Sequence, residues 1–184
     1  MKDFEEYTAG AVVIGGGHAG AEAALALART GVDTVMLTLN LDGIGFLPCN
    51  PSIGGTAKGH LVREIDALGG EMGLQADNAA MQIKMLNRGK GAAVQSLRAQ
   101  NDKFLYHTLM KKVLENTPGL AVKQAEAVKI LTENGKVTGV LTSFGSVLEC
   151  RTVVIATGVY LNGRVIAGEW EKTSGPSGFA PANE

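Results

Sequence analysis

An α/β fold is predicted from three observations in the 184-residue chain. The apolar run Ala11-Val12-Val13-Ile14 leads straight into Gly15-Gly16-Gly17-His18-Ala19-Gly20, and a helix-forming run of Ala, Glu and Leu continues to about Arg29. A second apolar stretch, Thr34 to Leu39, follows closely, as the next parallel strand of such a unit would. Towards the far end, short β-like runs separated by Asn134-Gly135 and Gly145 read as antiparallel strands. Together these describe a Rossmann-like nucleotide-binding domain with a parallel sheet and a small antiparallel β-meander, spanning 1–184 as one domain.

The first unit carries a physical reason at each glycine. Gly15 allows the tight turn, Gly17 lets a pyrophosphate approach the backbone, and Gly20 lets the helix pack close to the strand. Unpaired N–H groups and the positive dipole end at the helix start then face the phosphates. His18 and Ala19 complete the loop, and Ala24 supplies a small side chain four residues after Gly20. The pattern GxGxxGxxxA is similar to that of flavoproteins that bind FAD. The helix stops at Gly31. The second strand reaches about Thr38, where an acid usually holds a ribose hydroxyl; Thr38 and the following Asn40 are neutral, which weakens a plain NAD reading.

From Leu41 to Ile53 the chain is a loop rich in Gly and Pro, and from Thr56 to Leu68 apolar residues recur at helical spacing up to Gly69-Gly70. Met72 to Asn87 is open between strand and short helix. Val94 to Asn116 is predicted as one long helix with Leu97, Phe104, Leu105, Leu109 and Val113 on one face, ended by Pro118-Gly119. Strand-like runs follow at Ala125 to Leu131, Lys136 to Leu141, Ser146 to Cys150 and Thr152 to Ala156, the last ending in Thr157-Gly158. The closing TSGPSGFAPANE has no periodic pattern, so the chain is expected to be the N-terminal piece of a longer protein.

Composition sets the remaining bounds. An apolar fraction of 45% suits an ordinary globular core, and a formal charge of −1 gives no global attraction to nucleic acid or membrane. Two cysteines in dissimilar settings and three scattered histidines argue against disulfides and against a metal site, and for a reducing, cytoplasmic compartment. No leader or membrane-spanning run appears at the acidic N-terminus.

Two stretches carry candidate chemistry beyond the glycine loop. Cys49 opens CNPSIGG, where Asn50 and Pro51 read as a helix N-cap and first helical residue; a thiol beside a helix N-terminus is favoured as a thiolate and hence as a nucleophile. Cys150, on a strand, reads as a buried small hydrophobe. Between Lys84 and Lys112, the cations Lys84, Arg88, Lys90, Arg98, Lys103, Lys111 and Lys112 face one acid, Asp102, and form a stripe that could contact RNA phosphates. Lys90 and Arg98 are the substrate candidates within it.

GGGHAG at Gly15 to Gly20, CNPSIGG at Cys49 to Gly55, KGHLVREIDALGG at Lys58 to Gly70, LRAQNDK at Leu97 to Lys103 and ATGVYLNG at Ala156 to Gly163 resemble the N-terminal part of the MnmG/GidA enzymes. The resemblance implies FAD at Gly15 to Gly20, a backbone contact near Ala127, and an ATG motif at Thr157-Gly158 beside the cofactor. It matches Cys49 to a cysteine implicated in the reaction, and it leads one to expect a proline where Ala92 stands. For the full-length protein it implies addition of a carboxymethylaminomethyl group to C5 of the wobble uridine of tRNA, with an MnmE-type GTPase partner, NADH and methylenetetrahydrofolate. A homodimer is the expected assembly, and no membrane association is expected. The alternatives are a folate- and FAD-dependent tRNA uracil-5 methyltransferase, which shares the opening motif, or a non-catalytic FAD-binding fragment. A general FAD oxidoreductase is less favoured, because no redox dithiol or second GxGxxG is present. The isolated 184 residues are expected to be inactive.

Overall fold

A computed structural model describes residues 7–48 and 50–183. In chain order the strands are β1 (Tyr7–Ile14), β2 (Thr34–Thr38), β3 (Ser52–Gly54), β4 (Ala80–Leu86), β5 (Ser96–Asn101), β6 (Leu120–Gln124), β7 (Ala127–Glu133), β8 (Lys136–Thr142), β9 (Val147–Ile155), β10 (Arg164–Ala167) and β11 (Trp170–Thr173). The α-helices are α1 (His18–Arg29), α2 (Lys58–Ala67), α3 (Met72–Asn78) and α4 (Lys103–Asn116). Of the described residues, those up to Ile44 and from Leu114 onward form one compact unit, and Gly45–Val113 form a second.

The first unit is built on a six-stranded sheet in the order β6-β2-β1-β9-β8-β7. β6, β2, β1 and β9 run parallel, while β8 and β7 continue the sheet antiparallel. β1 and β2 read as nearly continuous apolar or β-branched runs because both of their faces are covered. Val12, Val35 and Leu37 join Val140, Leu148 and Cys150 in a core cluster, with Ala121, Ala125 and Ala127 packed against it. Alternate residues along a strand point to opposite faces. Small residues of α1, among them Gly20, Ala21 and Ala24, are buried with Leu25 to form that helix's inner face. Burial pushes the Cys150 thiol above its ordinary range, opposed by a hydrogen bond involving the Thr152 backbone.

The meander expected from the sequence is present, and β9 ties it by hydrogen bonds to the parallel strands. Ser146 to Cys150 and Thr152 to Ala156, expected as two strands, are one: β9 pairs parallel with β1 from Tyr7↔Leu148 to Ile14↔Ile155, and its first residues pair antiparallel with β8. No Gly or Pro interrupts Val147–Ile155, so nothing in the chain forces a break.

The second unit holds the antiparallel sheet β3-β5-β4 with α2, α3 and most of α4. Residues 72–87, open on sequence grounds, divide into α3 and β4. The long helix expected over Val94 to Asn116 is corrected here: Ser96–Asn101 is a strand held between β3 and β4, and the helix begins at Lys103. The start signal is Asp102, whose Oδ1 accepts hydrogen bonds from the N–H groups of Phe104 and Leu105 at 2.9 and 3.0 Å. Asp102→Ala is expected to cost about 1 kcal/mol, read as a lower urea midpoint at unchanged slope. The inner face of α4 is also not the expected one. Tyr106, Met110 and Leu114 are fully buried, whereas Phe104 is 78% exposed and Leu105 is also exposed.

Among the described residues no helix is long and apolar enough to cross a membrane, and no cluster of His, Cys, Asp and Glu could hold a metal ion.

Candidate nucleotide-binding site

The site in the first unit forms where strand order reverses. β2 and β6 lie on one side of β1 and β9 on the other, so the parallel strands open a crevice at their carboxyl ends beside Gly15. Gly15 has φ of +116°, and its N–H donates to the Leu37 carbonyl at 2.8 Å. A Cβ on Gly15 would sit 2.2 Å from the Ala156 carbonyl oxygen, and one on Gly20 would sit 1.8 Å from the Gly15 carbonyl oxygen. Only hydrogen fits at either place, so α1 rests directly on the turn.

Gly16 is buried against Thr38, where a Cβ would meet Oγ1 at 2.8 Å. Gly17 differs from all of these: a Cβ there would meet nothing within 4 Å, and Gly17 and Ala19 are exposed. That open side borders the start of α1, which His18 begins and which no side chain caps. The arrangement is a cradle of backbone N–H groups and dipole, closed behind by glycines and open in front, and it fits a dinucleotide pyrophosphate.

The other candidates in this unit gather around the same strand ends. Thr38 closes β2, and the Ala125 N–H donates to the Thr38 carbonyl at 3.0 Å, which continues the β2–β6 ladder toward Ala127. Thr157 and Gly158 follow β9 after Ala156, whose N–H donates to the Ile14 carbonyl at 2.8 Å. Sequence reading missed Glu126, whose Oε1 is buried with no hydrogen-bond partner. Its signal was an acid between two small residues, just past a parallel strand.

The basic candidates lie in the second unit. Arg98 on β5 stands directly opposite Lys84 on β4, and also opposite Gly54 on β3; the next row is Ser52, Gln100 and Gln82. Residues directly opposite share a face, so one face carries two cations, two amides and a hydroxyl. No ion pair joins Lys84 or Arg98 to an acid among the described residues. Lys90 is exposed in the connection after β4, where its carbonyl accepts from Gln95 Nε2 at 2.9 Å; it is not on the Arg98 row. Lys84 was visible in the stripe, but only the strand register singles it out.

Cys49 lies outside the described residues. The N-cap reading of its neighbours is corrected: Asn50 and Pro51 start no helix, Ser52–Gly54 is a strand, and α2 begins at Lys58. The isoleucine in CNPSIGG is buried in the sheet instead.

Comparisons with known proteins agree with this architecture. The family described as glucose inhibited division protein A matches residues 10–184. The tRNA uridine 5-carboxymethylaminomethyl modification enzyme MnmG of Alkaliphilus metalliredigens is 56% identical over 180 residues, 96% of this chain and 29% of the relative. MnmG of Clostridium kluyveri is 59% identical over 174 residues, 94% of this chain and 28% of the relative. A crystal structure of Aquifex aeolicus GidA superposes with a TM-score of 0.91 at 52% identity, covering 97% of this chain and 29% of that one. The GidA-related protein from Thermus thermophilus, 22% identical with a TM-score of 0.62 over 96% of this chain and 64% of that one, shares the fold. The chain thus spans about 29% of the length of relatives such as the Alkaliphilus enzyme. With the match running over residues 10–184 and the glycine cradle within it, the chain belongs to the glucose inhibited division protein A family.

Proposed function

We propose that this chain is the FAD-binding part of a tRNA-modifying enzyme that, with a GTPase partner, places a carboxymethylaminomethyl group on C5 of a wobble uridine. The observation that carries this reading is the cradle at Gly15 to Gly20, shaped for a dinucleotide pyrophosphate, in a chain 56% identical to an enzyme of that name. The same identity favours it over the methyltransferase alternative. Gly15, Gly16, Gly17, His18, Ala19, Gly20, Thr38, Ala127, Thr157 and Gly158 would hold the cofactor, and bound flavin would supply two-electron redox chemistry. For the whole enzyme the reading includes NADH as reductant, methylenetetrahydrofolate as one-carbon donor, a homodimer and a cytoplasmic setting.

Cys49 is the proposed nucleophile. Its thiolate would add to C6 of uracil, and the electron-rich C5 would bond the folate methylene as one of that carbon's C–N bonds breaks, the electron pair going to the folate nitrogen; loss of the C5 proton then expels the thiolate and restores the ring. Arg98 and Lys84, on the sheet that β3 joins a few residues after Cys49, would take backbone phosphates of the same tRNA, and Lys90, in the connection after β4, would take another. Two like charges directly opposite destabilise a sheet unless an anion lies between them.

The test is a chimera in which these 184 residues replace the matching part of a full-length relative. It is expected to show flavin absorbance and to modify tRNA. Cys49→Ser in the chimera should abolish modification with tRNA binding intact. Lys84→Ala with Arg98→Ala should weaken tRNA binding and lower its salt slope by about two, roughly one per contact. A folded chimera without flavin would sink the proposal.

A further inference from the structure

We infer that Glu126 does the work an acid at the end of β2 ordinarily does, accepting hydrogen bonds from the adenosine ribose hydroxyls of FAD; the inference rests on the FAD reading of the same site. In dinucleotide folds that acid closes the second parallel strand. Here Thr38 closes it with a neutral hydroxyl, whose Oγ1 donates its one proton to the Asn40 carbonyl at 3.1 Å and can offer a ribose only an uncharged acceptor. The neighbouring amide oxygens are likewise uncharged, and each already accepts one hydrogen bond. Asn40 Oδ1 accepts from the Asp42 N–H at 2.8 Å, and Gln124 Oε1 accepts from the Leu41 N–H at 3.2 Å.

Glu126 is left at the same strand ends with a buried, unpartnered Oε1. A carboxylate oxygen buried without a donor is costly, and such an atom in a native fold calls for a partner. Register gives its direction. Thr38 pairs with Gln124, and the Ala125 N–H continues the ladder by bonding the Thr38 carbonyl. Ala125 and Ala127 both pack against the cluster of Val35 and Leu37. Glu126 lies in the two-residue connection between β6 and β7; if the alternation of β6 continues through it, its side chain falls on the face that Thr38 shares with Gly16. Its backbone is fixed there as well, since the Glu126 carbonyl accepts from the Ser143 N–H at 2.9 Å. A carboxylate has two acceptor oxygens, and the ribose diol offers two donors.

The experiment titrates the chain with FAD, ADP and 2′-deoxy-ADP by calorimetry, for the unsubstituted protein, Glu126→Gln and Glu126→Ala. The unsubstituted protein is expected to bind ADP about tenfold more tightly than 2′-deoxy-ADP, as suits one hydrogen bond to a charged acceptor. In Glu126→Ala that preference should vanish and FAD affinity should fall by a similar factor. Glu126→Gln keeps the side-chain volume and should lose most of the preference, so a misfolded alanine variant does not decide the matter. Unchanged ribose preference in the glutamine variant, or no preference in the unsubstituted protein, with FAD still bound, overturns the inference alone. Unsubstituted protein that binds neither FAD nor ADP overturns the FAD reading along with it.

Discussion

Gly20→Ala is expected to leave the protein unable to take up FAD and to destabilise its first unit by about 1–3 kcal/mol. The added methyl would stand 1.8 Å from the Gly15 carbonyl oxygen and 3.5 Å from the Ala156 side chain. Backbone on one side and a sheet on the other give it nowhere to go, so α1 must lift from the turn. Lifting the helix strips contacts from Ala21, Ala24 and Leu25 and carries the helix N-terminus away from the phosphates. Gly17→Ala is the matched control. Gly17 has φ of −72° and open space in front of it, so the variant should fold with an unchanged thermal midpoint. Its methyl would nonetheless occupy the open side of the cradle and weaken FAD binding. Flavin absorbance after reconstitution, together with thermal unfolding, separates the two results. Normal flavin uptake by Gly20→Ala would show that α1 does not set the cradle.

Tyr106→Ala should cost about 3–5 kcal/mol, the range for deleting a fully buried aromatic side chain, whereas Phe104→Ala should change stability by less than about 0.5 kcal/mol. Tyr106 is fully buried on α4, and Phe104, two residues away, is 78% exposed. Urea unfolding of the two variants measures the difference. Equal effects would mean that the buried face of α4 is wrongly assigned.

That pair of residues also marks where the sequence stopped being legible. The apolar spacing that suggested a helix from Val94 selected Leu97, Phe104 and Leu105 as its inner face. Leu97 instead sits on β5, because Ser96–Asn101 is held on both sides by β3 and β4, the former more than 40 positions earlier. A strand owes its identity to such distant partners, and local periodicity cannot report them. With the helix starting at Lys103, its inner face becomes Tyr106, Met110 and Leu114, four residues apart. Asn50-Pro51 misled for a similar reason: a capping pair is a local preference, and pairing of Ser52–Gly54 with β5 prevailed.

The glycine turn was legible because its constraint is local and steric. No other residue lacks a Cβ, so close approach at Gly15 and Gly20 leaves a mark in the sequence itself. For Glu126 the sequence held only the weak signal of an acid between two small residues, since its significance rests on a buried carboxylate oxygen that finds no partner in the fold.

The pairing of β1 with β9 bears on the order in which the molecule assembles. Gly15 meets Ala156 across 141 positions of chain, and the first unit is assembled from two segments that flank Gly45–Val113. On a ribosome, the second unit is contiguous and emerges entire, while β1, which can pair with β2 early, lacks its other neighbour until residues 147–155 have been made. Contacts so distant in sequence form late and slow the search. The turn at Gly15 is therefore synthesised well before it can acquire its shape, so newly made chains remain unable to hold a nucleotide until nearly all of the sheet exists.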